Sequence, residues 1–123
     1  MKILSIGNFG TSWDGSICDE EHIAKSLEYF GHEVVRIQRE DCRVAHGVNE
    51  HPGSADFALI AQWDQYDEQL IDWLREAAEV IVYWAFDYQA EHQPWHERLV
   101  AGSDLYLSKR LADGYKYPNW RWL

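Results

Sequence analysis

The segment from residue 7 to residue 16 carries the residue types best suited to chemistry. It reads Gly-Asn-Phe-Gly-Thr-Ser-Trp-Asp-Gly-Ser and precedes a predicted helix. Gly7 and Gly10 allow the backbone to approach a ligand closely, and the helix N-terminus offers N–H groups and positive potential. Trp13 beside Asp14 suits the face of a sugar ring and its hydroxyl groups. A purely structural interpretation stays open, since a turn between a strand and a helix often contains glycine.

The glycine spacing of this segment disfavours two common kinds of nucleotide site. The pattern is G-x-x-G-x-x-x-x-G, whereas the dinucleotide fingerprint is G-x-G-x-x-G. No Gly-Lys-Ser or Gly-Lys-Thr follows, so the segment is not a P-loop either. A dinucleotide or a nucleoside triphosphate is therefore not the ligand expected here.

A second candidate site follows the most apolar predicted strand, residues 79–84. Asp87 lies just past this strand and His92 lies near it, so a carboxylate and an imidazole are available for general-base work. A solvated turn is the alternative interpretation. His92 and His96 are four residues apart, but Pro94 between them argues against one continuous helix, so we expect no metal site.

Apolar runs bounded by turn residues predict the elements that position these segments. Gly31 is expected to end the first helix, whose apolar stripe would be Ile23, Leu27 and Phe30. Residues 38–55 show no clean period. The predicted strands are 2–6, 33–37, 56–61, 79–84 and 104–107, and residues 115–123 form a tail with a strand-like aromatic end. A cap at Asp64 or Asp67 is expected to begin the second helix, whose buried stripe would be Leu70, Ile71, Leu74, Ala77 and Ala78, and the third helix is expected over 94–102.

Strands alternate with helices in this pattern, and no two strands are joined by a hairpin turn. The alternation predicts an α/β fold with a single doubly wound, Rossmann-like parallel sheet of about five strands. We expect the order 3-2-1-4-5, with strand one central because residues 2–6 have the pattern of a strand buried on both faces. Strand two contains Arg36 and should lie nearer an edge. Ligands of such sheets bind outside the carboxyl ends of the strands.

Composition indicates one globular domain of 123 residues. Eleven basic against 21 acidic residues give a net charge of −10, which disfavours binding to nucleic acid. The longest apolar run, residues 80–86, is too short for a membrane span, and no signal peptide follows Met1, so a cytoplasmic protein is expected. Cys18 and Cys42 fit neither a disulfide framework nor a metal site and are expected to be reduced.

Four segments together resemble one protein family. They are the glycine-containing segment 7–16, the phrase Leu-x-x-Phe-Gly-His-Glu-Val at 27–34, the apolar run with its aspartate at 80–87, and Ser-Asp-Leu-Tyr-Leu-Ser at 103–108. In this combination the chain resembles the N-terminal half of a GT-B glycosyltransferase, closest to the family-four-like and spore-maturation-like group. The resemblance extends over nearly the whole chain, although the poor helical pattern of residues 38–55 departs from that family.

The resemblance implies one half of a two-domain enzyme that transfers a sugar from a nucleotide-sugar donor to an acceptor. Residues 1–123 would hold the acceptor, a carbohydrate or another small molecule, and part of the cleft. The donor would bind in a C-terminal donor-binding domain, so no cofactor is expected in this chain, and the isolated chain is expected to be inactive. The apolar run at residues 120–123 fits a chain that continues into that second domain.

Positions that match the family's pattern supply the expected site residues. Asp14 and Asp87 are the candidate catalytic bases. The residues expected to bind substrate are Gly7, Asn8, Gly10, Thr11, Ser12, Trp13, Gly15 and His92.

Two functions of other classes stay open. A non-catalytic Rossmann-like binding or oligomerisation domain would show the same pattern of elements. A response-regulator receiver-like domain has this length and acidic balance, and Lys109 follows the fifth strand as a receiver's lysine does. A receiver also needs an acidic pair after strand one and an aspartate ending strand three. In this chain, Gly7 and Asn8 follow strand one in place of the acidic pair, and Asp64 lies beyond the end of strand three.

Overall fold

Helices separate most of the successive strands in the described parts of the chain, as the sequence predicts. The computed structural model describes residues 1–11, 14–38, 54–61, 69–85 and 94–122. The elements within these residues are β1 Lys2–Gly7, α1 Asp19–Tyr29, β2 Glu33–Gln38, β3 Ala55–Ala61, α2 Gln69–Ala77, β4 Ala78–Trp84, α3 Pro94–Gly102, β5 Leu105–Ser108, α4 Asp113–Lys116 and β6 Trp120–Trp122. Most of the segment 38–55, for which no regular element is predicted, lies outside the described residues.

The six strands form one parallel sheet in the order β2-β1-β3-β4-β5-β6. This sheet confirms the doubly wound α/β class, and β2 lies at an edge as its Arg36 indicates. The predicted order 3-2-1-4-5 is wrong, because β3 lies between β1 and β4 and not at an edge. The reason is visible in β3 itself, which is apolar apart from Asp56 and largely buried, as suits a strand paired on both sides.

The aromatic tail adds a sixth strand to the five strands predicted from the sequence. Trp120 of β6 pairs in register with Tyr106 of β5. The Asn119 side-chain amide fixes the preceding turn by donating to the carbonyl oxygens of Val100 at 2.9 Å and Ser103 at 3.0 Å. The strand-like end of the tail is therefore part of the sheet over Trp120–Trp122.

Helices lie on both faces of the sheet. Leu74 of α2 and Leu99 of α3 join Ile6, Ile60 and Ile81 of the strands in one buried core. The β3–β4 and β4–β5 crossovers run in the same direction, so right-handed connections place α2 and α3 on the same face. The β1–β2 crossover runs in the opposite direction, which places α1 on the other face. Among the described residues, no helix has the length and apolar character needed to cross a membrane.

The two ends of α1 agree only in part with the sequence pattern. Gly31 ends the helix as predicted: its φ is +86°, and its N–H donates to the Glu28 carbonyl at 2.9 Å. The spacing of Ser16 and Asp19 predicts a capping box, but this prediction is wrong. Cys18 is the N-cap residue and makes no side-chain cap hydrogen bond. Ser16 is instead bound to Asp14 in the preceding loop.

Candidate functional site

The crevice of this sheet lies at the carboxyl ends of β1 and β3. The helix after β1 packs on one face and the helix after β3 on the other, so these neighbouring strands form the topological switch point where ligands of such sheets bind. The loops after β3 and β4 lie outside the described residues. The loop after β1 therefore supplies the described part of the candidate site.

This loop, which we call the β1 hairpin, spans residues 8–18 and folds back on itself. Thr11 and Ile17 form an antiparallel bridge, and the Cys18 N–H donates to the Gly10 carbonyl at 3.3 Å. Near the tip, the Asp14 carboxylate accepts the Ser16 N–H at 2.9 Å and the Ser16 hydroxyl at 2.6 Å. These contacts fix the described residues 14–16 of the loop, which present a carboxylate and a hydroxyl group at the surface.

The base of the β1 hairpin has three consecutive backbone N–H groups, and a side-chain oxygen accepts each of them. The Asn8 N–H donates to Glu20 Oε1 at 3.3 Å, and the Phe9 N–H donates to Gln38 Oε1 at 3.0 Å. The Gly10 N–H donates to Asn8 Oδ1 at 3.2 Å. A phosphate-binding loop needs such N–H groups for its ligand. In this loop they are already used within the chain.

Asn8 links the two elements that flank the β1 hairpin. Its Oδ1 accepts a second hydrogen bond, from Gln38 Nε2 at 3.1 Å, and its Nδ2 donates to the sulfur of Cys18 at 3.2 Å. Gln38 ends β2 and Cys18 caps α1, so the Asn8 side chain ties the hairpin to both. Asn8 therefore has a positioning role in the loop.

Gly7, Gly10 and Gly15 differ in their surroundings and in their backbone conformation. A β-carbon on Gly7 would lie 2.7 Å from Glu20 Cγ and 3.2 Å from the Ala61 carbonyl oxygen, so Gly7 makes room for Glu20 and for β3. Gly15 has a φ of +82°, which L-residues rarely adopt. A β-carbon on Gly10 would meet only Asn8 Oδ1, at an ordinary 3.4 Å. Gly10 is exposed and has space beside its Cα, although its N–H and its carbonyl oxygen are engaged by Asn8 Oδ1 and the Cys18 N–H.

The structure gathers several of the predicted substrate-binding residues in the β1 hairpin. Asn8 is half-buried, and Gly7 is buried under Glu20. The exposed members are Gly10, Thr11, Gly15 and the candidate base Asp14. Four other expected site residues lie outside the described residues, namely Ser12, Trp13, Asp87 and His92.

Glu20 and Gln38 are site residues that the sequence pattern does not reveal. A favourable interaction with the helix dipole is enough to explain the acidic residues 19–21 in the sequence. The sequence therefore does not show that one of these three carboxylates is buried. Glu20 is only 6% exposed, and Ala24, one turn later, is also buried. An i, i+4 stripe that begins at Glu20 is the signal that would have found it.

A second polar cluster, the His96 cluster, lies between α3 and strands β4 and β5. Tyr83 Oη lies 3.0 Å from His96 Nδ1, and Tyr106 Oη lies 3.5 Å from His96 Nε2. The Tyr106 hydroxyl donates its hydrogen to Asp113 Oδ2 at 2.9 Å. Its oxygen therefore accepts from Nε2–H, which assigns Nδ1 as the acceptor of the Tyr83 hydroxyl hydrogen.

Asp113 is the charged end of the His96 cluster. Its Oδ2 also accepts the Ser108 hydroxyl at 2.6 Å, while Ser108 Oγ accepts the Trp120 indole N–H at 2.9 Å. Burial raises the pKa of the Tyr106 hydroxyl, and the Asp113 carboxylate raises it further. Burial also lowers the pKa of His96. These groups are enclosed and satisfied by one another, so the cluster fastens α3, α4 and β6 to the sheet.

The described residues contain no set of side chains arranged to bind a metal ion. Both ring nitrogens of His96 face tyrosine hydroxyls, which leaves neither one for a metal shared with His92. In the parts of the chain that the structure describes, no three His, Cys, Asp or Glu side chains come together as a metal site. No protein-family model, curated protein or solved structure matches the chain.

Proposed function

We propose that residues 1–123 form the acceptor-side domain of a GT-B glycosyltransferase. The observation that carries this proposal is the β1 hairpin, which stands at the switch point of a Rossmann-like parallel sheet. Its exposed end offers the Asp14 carboxylate and the hydroxyls of Thr11 and Ser16. Carboxylate and hydroxyl oxygens are suitable partners for the hydroxyl groups of a carbohydrate acceptor.

Asp14 is the described candidate for the general base that would take a proton from the attacking acceptor hydroxyl. It is exposed, and its Oδ1 is oriented by the N–H and the hydroxyl of Ser16. A base oriented by fixed donors fits the geometric demand of proton transfer. Asp87, the other candidate, follows β4 in the sequence and lies outside the described residues.

The occupied N–H groups at the base of the hairpin support a division of labour between two domains. A nucleotide-sugar donor carries a diphosphate, and the three N–H groups that would suit it are bound by Glu20, Gln38 and Asn8. The donor would then bind in a separate C-terminal domain, and this chain would need no cofactor of its own.

The strand order favours a receiver-like function, whereas the residues at the strand ends argue against it. The order β2-β1-β3-β4-β5 is the order of receiver domains, unlike the order predicted from the sequence. The ends of the strands do not supply receiver chemistry, because Gly7 ends β1 and Ala61 ends β3, and neither is acidic. A non-catalytic binding domain is the stronger second candidate, since it needs only the fold and the exposed hairpin.

Titration calorimetry and a transfer assay test the proposal together. The isolated chain should bind nucleotide sugars no more tightly than about 1 mM, or about 4 kcal/mol. In a protein that joins this chain to a donor-binding domain, Asp14→Ala should lower turnover at least about tenfold, or about 1.4 kcal/mol of barrier. Asp72→Ala, an exposed aspartate on α2, is the matched control and should leave turnover unchanged. Micromolar donor binding by the isolated chain, or equal turnover of both variants, would contradict the proposal.

A further inference from the structure

The sheet face that carries α1 is covered by a described helix over only part of its width. Arg36 marks this face on β2, because its guanidinium binds Glu21 and Glu28 of α1 at 2.9 and 2.6 Å. Partners in register point to the same face of a sheet, and the row that starts at Arg36 continues through Ser5, Leu59, Val82 and Leu105. Helices α2, α3 and α4 pack on the opposite face. Among the described residues, α1 is therefore the one helix on this face, and it lies over β1 and β2.

Over β4 and β5 this face is apolar and accessible to solvent. Residues two apart in a strand share a face, so the side chains that line it here are Val80, Val82, Leu105 and Leu107. Val80 is 41% exposed, and the other three are half-buried. Parallel sheets normally have both faces covered, so this apolar area is suited to a further packed element.

One flank of α1 borders this area and is also apolar. Ile23, Leu27 and Phe30 lie at i, i+4 and i+7 and form one stripe along the helix. The flank that binds Arg36 faces β2, and the buried Ala24 faces the sheet. At about 100° per residue, the stripe then lies on the side of β3 and β4. Phe30 is 74% exposed, while Ile23 and Leu27 are half-buried.

The stripe and the strand residues together form a surface with a wall and a floor, which we call the α1 groove. Its wall is Ile23, Leu27 and Phe30, and its floor is Val80, Val82, Leu105 and Leu107. We infer that the α1 groove docks an amphipathic helix of a partner protein, laid beside α1, with basic residues where the strands begin. A helix in this position buries one apolar side on the floor and the adjoining side on the wall, as helices packed on a sheet do.

The charges at the end of the groove support a basic helix. Carboxylates stand at or beside the first residues of four strands, namely Glu33, Asp56, Glu79 and Asp104. Glu79 directly precedes Val80 of the floor, is exposed, and makes no ion pair with the residues that the structure describes. The chain as a whole has a net charge of −10. Lysine or arginine side chains near Glu79 would therefore be attracted to this end of the groove.

The outward side of α1 disfavours a second copy of this chain as the occupant. A two-fold axis through the groove would place that side of each α1 on the floor of the other copy. His22 and Ser26 lie there and are exposed and polar, so they do not match an apolar floor. Two copies would also bring together two chains of the same negative net charge.

This inference goes beyond the proposed function, because it concerns a face of the sheet and not the crevice at the carboxyl ends of β1 and β3. It holds equally for a transferase domain and for a non-catalytic binding domain. Its failure would leave the role of Asp14 untouched, and the loss of that role would leave the groove untouched.

Titration calorimetry of the chain with two synthetic peptides tests the inference. Each peptide has about 18 residues, long enough to form a helix, and contains only leucine and lysine. The first has leucines at i, i+3, i+4 and i+7, and the second has the same composition with the leucines spread around the helix. At about 0.15 M salt, the first should bind at least about tenfold more tightly than the second. Equal affinities, or no binding of the first peptide, would overturn the inference.

Two variants at exposed positions locate the bound peptide. Phe30→Asp changes the wall and Val80→Asp changes the floor, and each should weaken binding of the first peptide at least about tenfold. The added carboxylate would by itself attract lysine, so a loss reports the apolar contact. Leu111→Asp is the matched control, because it adds the same charge at a leucine that is 66% exposed in the turn before α4, and it should leave the affinity unchanged. Unchanged affinity in both groove variants, or an equal loss in the control, would overturn the inference.

Two further measurements test the basic end and the choice of occupant. Glu79→Lys should weaken binding of the first peptide about threefold, whereas Glu76→Lys, an exposed residue of α2, should change it little. Equal effects of the two charge reversals would contradict the proposed basic end. Sedimentation of the wild type should show a monomer. A dimer that Val80→Asp dissociates would assign the groove to a second copy and overturn the inference.

Discussion

The Glu20 side chain lies against Gly7 so closely that a β-carbon on residue 7 would stand 2.7 Å from Glu20 Cγ. The end of β1 and the first turn of α1 are therefore fitted to each other at this one position. Gly7 is a packing requirement of the fold, whereas a β-carbon on Gly10 would meet only Asn8 Oδ1, at 3.4 Å. The glycines of the loop consequently differ in what an alanine substitution does.

Gly7→Ala should lower the free energy of unfolding by about 2 kcal/mol, because the new methyl group overpacks against Glu20 and the Ala61 carbonyl. Gly10→Ala is the matched control and should change it by less than about 0.5 kcal/mol, since its β-carbon makes an ordinary contact. Urea unfolding measures both. Equal losses of stability in the two variants would contradict the packing role of Gly7.

The double variant Gly7→Ala with Glu20→Ala tests whether these two residues are coupled. Removing Glu20 Cγ relieves the closest contact, although the Ala61 carbonyl still lies 3.2 Å from the new methyl group. The double variant should therefore be more stable than the sum of the single losses by about 0.5–2 kcal/mol. Additive losses would show that Gly7 is needed for another reason.

Gly15→Ala should cost about 1 kcal/mol for a conformational reason. The φ of Gly15 is +82°, and its β-carbon would meet no atom within 4 Å, so only backbone strain opposes the substitution. Gly15→Asn should cost less, because asparagine tolerates the left-handed region better than alanine does. Thermal melting of the two variants distinguishes strain from packing. A larger loss with asparagine would indicate that space, and not φ, is limiting.

Local sequence signals determine most of the elements of this fold. Pro94 and Gly102 bound α3 as predicted. Gly31 ends α1 because it adopts a positive φ, whereas Gly102 leaves room for Ile71, whose Cγ2 would lie 2.7 Å from a β-carbon on residue 102. The strand order does not follow from such signals. Strands β1, β3 and β4 are all strongly apolar, so burial alone does not say which of them are neighbours. The order depends on where the β2–β3 connection crosses the sheet, and residues 38–55 have no clean period that would indicate its path.

The site is harder to predict than the fold because its polar residues lie where apolar ones are expected. The apolar stripe of Ile23, Leu27 and Phe30 describes α1 poorly, since Phe30 is 74% exposed while Glu20 is buried. A pattern based on hydrophobicity gives no weight to a glutamate facing the sheet. The surroundings of His96 are not predicted either, because its partners Tyr83 and Tyr106 come from two different strands.

Tyr106→Phe should destabilise the protein by about 2 kcal/mol. The substitution removes a buried donor to Asp113 and the acceptor of the His96 Nε2–H, which leaves buried polar atoms unsatisfied. Tyr115→Phe removes the same hydroxyl from a residue that is 95% exposed, so it should change stability by less than about 0.5 kcal/mol. Chemical denaturation compares the two, and similar losses would show that the hydroxyl of Tyr106 contributes nothing specific.

Stability should fall as the pH drops from about 7 towards 5, because burial lowers the pKa of His96 in the folded state. The unfolded chain binds a proton at residue 96 below about pH 6.5 and the folded chain does not, so protons favour unfolding by up to about 1.4 kcal/mol per pH unit. Carboxylates whose pKa is lowered by ion pairs, such as Glu21 and Asp104, lose their contribution only at lower pH. The free energy of unfolding, measured across this pH interval, should lose most of its pH dependence in His96→Gln. The control is His22→Gln, at an exposed position of α1, which should keep the pH dependence of the wild type. The same slope in wild type and His96→Gln would refute a neutral, buried His96.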